Sequence, residues 1–417
     1  MTASGLSAEE EAELAFLVQY DATLSSVADW LRETLEDELR GPYLRAVRAE
    51  VNLDGLQKHA EQFMGRKVTG VHFFGGGHFN IIFLITFGDG TDILARLRIP
   101  VLEFLPFRNP FSVVPNVAAS LESEIATYRF LERETTIPVP HVHGDFTNPD
   151  IAGMPFMLIE RARGIVIPDL AECPPQYLQA IAAQLARFEN ELCKVSFPAV
   201  GCLTDDATVG PLVEELSLPT IPADHGPFAT SRDFVFAYID DLQGQLDRVH
   251  EWHQRRELFD PEEVLDPQYA SKWLSLLRKA LEALPAEVDK SDRFRLAHQD
   301  PQASNMFVAS ATDPTITAVF DWQAARTLPT WDTRFGFHIN KIWWPKDAEA
   351  AVRDSYDSER EPTLPGPFPW LPLLKVLDKN PLYYCGRAAL ERFMAEWELP
   401  EQLEELFVEW KGLITAQ

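Results

Sequence analysis

"RLAHQDPQASNMFV", residues 295–308, places a histidine two positions before an aspartate and an asparagine five positions after it. His298, Asp300 and Asn305 are residue types that hold protons or offer oxygen ligands. A short apolar stretch, a turn at "SATDP" and a second apolar stretch follow, ending in "AVFDW" with Asp321. A strand–turn–strand of that length returns the chain beside its start, which brings Asp321 within reach of Asn305. Each of the four residues is ordinary alone. Their order and spacing raise the question of a single site.

Working outward, residues 68–100 change period. "VTGVHFF", "FNIIFLITF" and "TDILARLRI" are short and rich in β-branched and aromatic residues, with "GGG" and "GDG" between them. They read as three strands joined by hairpins. Gly75, Gly76 and Gly77 read by themselves as a plain turn, although glycines also let backbone N–H groups approach a phosphate. Arg96 and Arg98 share one face of the third strand, where lone cations are usually solvated. Glu124 falls in a helical stretch, "SLESEIATYRFLERET", after which "TTIPVPHVHGD" is extended and broken by prolines. "MPFMLIERARG" reads as a buried strand running into a loop.

Phosphoryl transfer from a nucleotide asks for parts of these kinds. It needs a loop over the phosphates, a cation with an acid to fix it, oxygen ligands for a metal and a group that orients the attacking hydroxyl. The chain presents them in that order. The rest is mainly helical: residues 1–50, "QYLQAIAAQLARFENELCKV", and most of 231–290 carry amphipathic periods. Residues 203–231 and 354–370 read as loops rich in proline and glycine.

Composition sets the bounds. The chain has 417 residues, 46% hydrophobic and 24% charged, a globular mixture. No apolar run is long enough for a membrane span, and the acidic N-terminus does not read as a signal or transit peptide. Cys173, Cys193, Cys202 and Cys385 form no C-x-x-C pair and read as free thiols of a reducing, cytoplasmic setting. The formal net charge of -27 disfavours nucleic acid and anionic membrane as partners. It serves solubility, and it would also attract a cationic small molecule.

At this point the sequence resembles the aminoglycoside phosphotransferase (APH) family of small-molecule kinases, and is similar in style to the large branch common in fungi. The resemblance spans roughly residues 52–335. It implies an α+β, bilobal protein-kinase-like fold, with a small antiparallel-sheet lobe and a mainly helical lobe. The corresponding division is an N-terminal helical extension at 1–50, a nucleotide-binding lobe at 51–164 and a helical lobe at 165–417 with the substrate cleft. It implies ATP (or GTP) and Mg²⁺ as cofactors, and a small molecule bearing a hydroxyl as acceptor.

By position, Asp300 matches the catalytic aspartate and His298 the loop histidine, whose part is more structural than chemical. Asn305 and Asp321 match the metal ligands, Glu124 the helix acid, and Gly75–Gly77 the phosphate loop. Glu160 and Ala162 match the hinge backbone that bonds the nucleotide base. The sequence departs from the family pattern in three places. The strand cation is arginine instead of lysine, with Arg96 and Arg98 both candidates and strand alternation favouring Arg96. Gln299 replaces the glycine of H-G-D, and Gln323 follows Asp-Trp where glutamate is common. An alternative reading is a catalytically weak pseudokinase that binds nucleotide or a partner protein. A protein kinase is disfavoured because no A-P-E motif follows Asp321. Oligomeric state and acceptor identity are not legible.

Overall fold

The computed structural model describes residues 47–76, 79–99, 117–205, 207–213, 226–237, 293–330 and 344–361, with a few isolated positions between them. The helical reading of residues 1–46, Gly77, Cys385 and the part of the loop reading at 362–370 lie outside the described residues.

Helix α1 (Leu53–Met64) opens on Asn52, whose side chain accepts the N–H of Gly55 at 2.9 Å, and closes on Gly65 in the left-handed conformation. It buries Leu56 and Ala60 against a sheet. That sheet is built of β1 (Val68–Gly76), β2 (Asn80–Phe87), β3 (Asp92–Arg98), β4 (Val142–Phe146) and β5 (Phe156–Ile159) in the order β1-β2-β3-β5-β4, antiparallel throughout. Helix α2 (Val117–Glu134) lies between β3 and β4 in the chain.

The period-2 alternation of β3 and β5 sets which residues meet which core. Ile93, Ala95 and Leu97 of β3, with Phe156 and Leu158 of β5, belong to the cluster that covers α1. Met157 and Ile159, one step out of phase, belong to a second cluster with Leu121, Ile125 and Tyr128 of α2. Arg96 and Arg98 share the phase of Leu94, which packs against that second cluster. The strand therefore turns both arginines towards α2.

The second cluster extends to α3 (Pro175–Lys194) and α4 (Glu349–Glu359). Leu178, Ile181, Leu185 and Leu192 form the buried stripe of α3, each contributing about 1.5–3 kcal/mol by burial. Strand β6 (Ile165–Val166) pairs with β10 (Met306–Ser310), which pairs with β11 (Asp313–Val319). A short hairpin, β7 (Cys202–Leu203) with β8 (Val209–Gly210), precedes β9 (Phe294–Ala297), and β9 pairs with β12 (Arg326–Pro329).

Four readings change. Gly75 and Gly76 belong to β1, opposite Ile82 and Ile81, so the turn begins later than the glycines suggest. Residues 142–146 of the proline-broken stretch add a strand, because the prolines at 138 and 140 precede it. The loop assigned to 203–231 begins with the β7–β8 hairpin. Residues 354–359 finish α4 instead of opening a loop. Val352 and Tyr356, one turn apart, are both fully buried, and the first proline comes only at 362.

Candidate active site

The stretch 295–308 folds as β9, a tight loop and β10. His298 is fully buried, with its ring against Trp322 at 4.5 Å and Phe337 at 5.9 Å between centroids. Its Nδ1 accepts the N–H of Asp300 at 3.0 Å, so the proton sits on Nε2 and is donated to the carbonyl of Phe320, also at 3.0 Å. Burial lowers the pKa of the ring, which favours its neutral form. His298 thus ties the Asp300 loop to the residue before Asp321.

Asp300 is exposed at the mouth of the loop. The Nδ2 of Asn305 donates to the Asp300 carbonyl at 2.9 Å and to its Oδ2 at 3.1 Å. With the amide nitrogen committed to Asp300, the Asn305 oxygen is the atom that could face a metal. The Asn305 carbonyl accepts the N–H of Phe320 at 3.0 Å, which joins the start of β10 to the end of β11. The hairpin does bring the Asn305 and Asp321 segments together.

Asp321 has φ of 63°, a left-handed conformation that aspartate tolerates better than most residues. Its N–H donates to the Tyr128 hydroxyl at 3.0 Å. Arg96 pairs through Nη1 with Glu124 and through Nη2 with Asp321, and Arg98 Nη2 reaches the second oxygen of Glu124 at 2.5 Å. Both arginines and Glu124 are buried. Burial alone would push the Asp321 carboxyl up; Arg96 and Arg98 outweigh it and hold the group below the ordinary aspartate range. For Arg96, burial opposes the charge, yet Glu124 and Asp321 raise its pKa above an already high value. Each group favours the charged form of the other.

Two contributors were missed in the sequence. Tyr128 lies one helical turn after Glu124, on the same face, and that spacing was the available signal. Asn80, the first residue of β2, is buried against Gln323, with their side chains 3.3 Å apart. With its amide oxygen turned to the guanidinium, Asn80 also accepts from Arg96 Nη2 at 2.9 Å. The Gln323 departure therefore sits beside Arg96, next to the turn between β1 and β2.

Glu160 and Ala162 follow β5. The Glu160 N–H is bonded to the His141 carbonyl at 2.8 Å. Gly164 closes this segment with φ of 101°, and a Cβ there would lie 2.1 Å from the Val308 carbonyl oxygen, so glycine is required. Behind the site, Arg295 pairs with Glu189 at 2.9 Å, both nearly solvent-free, and Glu189 accepts the N–H of Phe337 at 3.1 Å. Phe337 is fully buried in the core.

The body is α+β, with a five-stranded antiparallel sheet, a buried arginine–glutamate pair and a His-x-Asp loop joined to a following aspartate. The chain belongs to the phosphotransferase enzyme family (APH), whose family model matches residues 81–366. Among curated proteins it is similar to a subtelomeric hrmA-associated cluster protein of Aspergillus fumigatus, found in two strains, at 23% identity over 303 residues. That match takes in 61% of this chain and 57% of the relative, so the chain spans little more than half the length of the curated relatives it matches. Among solved structures it is similar to a Thermobifida fusca protein assigned as a fructosamine-3-kinase (17% identity, 85% and 98% of the two chains, TM-score 0.46). It is also similar to a thermostable aminoglycoside phosphotransferase APH(4)-Ia in ternary complex with ADP and hygromycin B (13% identity, 87% and 97%, TM-score 0.41).

Proposed function

We propose that this protein transfers the γ-phosphate of ATP, or of GTP, to a hydroxyl of a small molecule, with Mg²⁺ as the metal. The observation that carries the reading is one linked set of side chains. Arg96 connects Glu124 to Asp321, Asn305 is bonded to Asp300, and His298 ties the two segments together. In this reading residues 51–164 form the nucleotide-binding lobe, the segment from Glu160 to Gly164 is the hinge, and residues 165–417 form the helical lobe. Residues 1–50 are an extension.

The residues suit the metal. Asp321 and Asn305 offer oxygen donors, as a hard cation prefers, and Mg²⁺ is ordinarily held by one or two such side chains together with nucleotide phosphates. Among the described residues no group of three or more His, Cys, Asp or Glu could form a protein-only cage. When bound, the ion would neutralise charge on the transferring phosphate. Arg96 would bind phosphate oxygens and Glu124 would fix its orientation. Asp300 would accept or orient the proton of the acceptor hydroxyl, held in place by Asn305 and by its own N–H on His298. The backbone at Glu160 and Ala162 would bond the base.

Gly75 supports the phosphate loop. A Cβ at Gly75 would meet nothing within 4 Å, and its backbone is not left-handed, so the fold itself does not require glycine there. Approach of a phosphate gives a reason. Gly75→Ala should leave the melting temperature unchanged or slightly higher, yet raise KM for the nucleotide roughly tenfold, since a misplacement near 1 Å can cost up to about 10²-fold. An unaltered KM would remove Gly75–Gly77 from the site.

The acceptor is a hydroxylated small molecule, and the net charge of -27 favours a cationic one such as an amine or amino sugar. The described cysteines, Cys173, Cys193 and Cys202, are free thiols, which suits a reducing cytoplasm. Among the described residues no helix is long and apolar enough to cross a membrane. Thermal shift with ATP, GTP and Mg²⁺, followed by a panel of amines and sugars, tests the function. A nucleotide at 100 times its Kd stabilises the folded state by about 2.7 kcal/mol. Phosphate transfer to the stabilising acceptor should follow, and no shift with any nucleotide would overturn the reading.

A further inference from the structure

Glu124 is held by two arginines that sit two residues apart on one face of β3. Arg96 Nη1 takes Oε1, and Arg98 Nη2 takes Oε2 at 2.5 Å. An arginine facing a carboxylate alone tends to fork onto both oxygens, and such a pair is strong and rigid. Arg98 takes one lone pair of the oxygen that a forked Arg96 would share. Arg96 is therefore left with one arm on Glu124 and one arm, Nη2, directed at Asp321 and at the Asn80 side chain. Asn80 opens β2, directly after the turn that follows Gly75 and Gly76. Gly75 pairs with Ile82 and Ile82 with Arg96, so Arg96 shares a rung of the sheet with the start of the segment assigned to the phosphates.

We infer that the two arginines divide the task of a single strand cation: Arg98 is a positioning residue that secures Glu124, and Arg96 is the arm that passes from Asp321 to a nucleotide phosphate. The inference rests on the phosphotransferase reading with Asp321 as a metal ligand. Four charges, two of each sign, close on one another in this state. A divalent cation drawn to Asp321 competes with Arg96 Nη2, and the displaced arm has the phosphate as its next partner. Glu124 draws that arm less strongly, because a forked Arg96 would have to share Oε2 with Arg98.

The test measures affinities of the full chain for ADP in EDTA and for Mn²⁺ without nucleotide, alongside melting temperature. In Arg98→Met the arm should fork onto Glu124. ADP affinity should fall about tenfold, the size expected when one hydrogen bond to a charged group is lost. Mn²⁺ affinity should rise, and Arg98→Lys should restore most of the ADP affinity. A purely structural Arg98 would lower the melting temperature and leave both affinities of the folded protein in place, and that outcome overturns the inference. Should Arg98→Met not fold, Arg96→Lys decides. A shorter, single-centred ammonium holds Glu124 and Asp321 together less firmly than the two-armed guanidinium, so Mn²⁺ should bind more tightly than in the wild type, and unchanged Mn²⁺ affinity overturns the division of roles. A wild-type chain that binds neither ADP nor Mn²⁺ defeats the phosphotransferase reading and this inference together. A wild type that binds both, with Arg98→Met indistinguishable from it, defeats the inference alone.

Discussion

Asp300→Asn should lower kcat by about 10²–10⁴, the usual worth of a positioned general base, while nucleotide affinity and melting temperature stay near wild type. The asparagine keeps the size of the side chain and its backbone N–H on His298. It can still accept the Asn305 amide through its remaining oxygen. What it loses is the charge that draws the hydroxyl proton. Asp300 is exposed, so the substitution leaves no buried partner without compensation. The assay is steady-state kinetics with any accepted acceptor, beside ADP titration of the same preparation. A kcat within a few-fold of wild type would remove Asp300 as the base. A parallel loss of ADP affinity would show that the residue supports nucleotide binding instead.

Asp321→Ala should abolish Mg²⁺-dependent turnover. This is the larger effect, because the substitution removes a metal ligand and not a proton acceptor. The structural consequence is smaller than for a fully buried pair. Breaking such a pair costs about 3–5 kcal/mol, but the Asp321 side chain retains 31% exposure and Arg96 keeps Glu124. Screening by water reduces the penalty, so a folded protein with a modestly lowered melting temperature is expected. ADP in EDTA should bind as well as to wild type or better, since Arg96 is no longer held by Asp321. Turnover that responds to Mg²⁺ as in wild type would rule out Asp321 as a ligand.

Local pattern made much of this legible. The alternation of β2, β3 and β5, the hairpin of β10 and β11, and the spacing from His298 through Asn305 to Asp321 are short-range features. The bonds from His298 to Asp300 and from Asn305 to Asp300 span only two and five residues. The helical period of α3 was equally plain. The partners of Arg96 were less accessible. One lies 28 residues away and the other 225, and no periodicity links β3 to the end of β11. Strand β12 was not foreseen either, because its pairing with β9 closes a loop of about thirty residues through register and not through an alternating pattern of its own.

The amino-acid order was sufficient for the family and for an α+β mixture of antiparallel strands and helices, because those follow from side-chain type and spacing along one chain. Alternation favoured Arg96 as the strand cation but puts Arg98 on the same face, so the question of the partner of Glu124 stayed open on that basis. Packing answers it with both. Helix α2 lies against β3 so that the two oxygens of one carboxylate meet two guanidinium groups, and only Arg96 carries an arm on to Asp321 among the contacts described. That outcome depends on the distance between a strand and a helix in a core that burial closes, a quantity that no local pattern encodes.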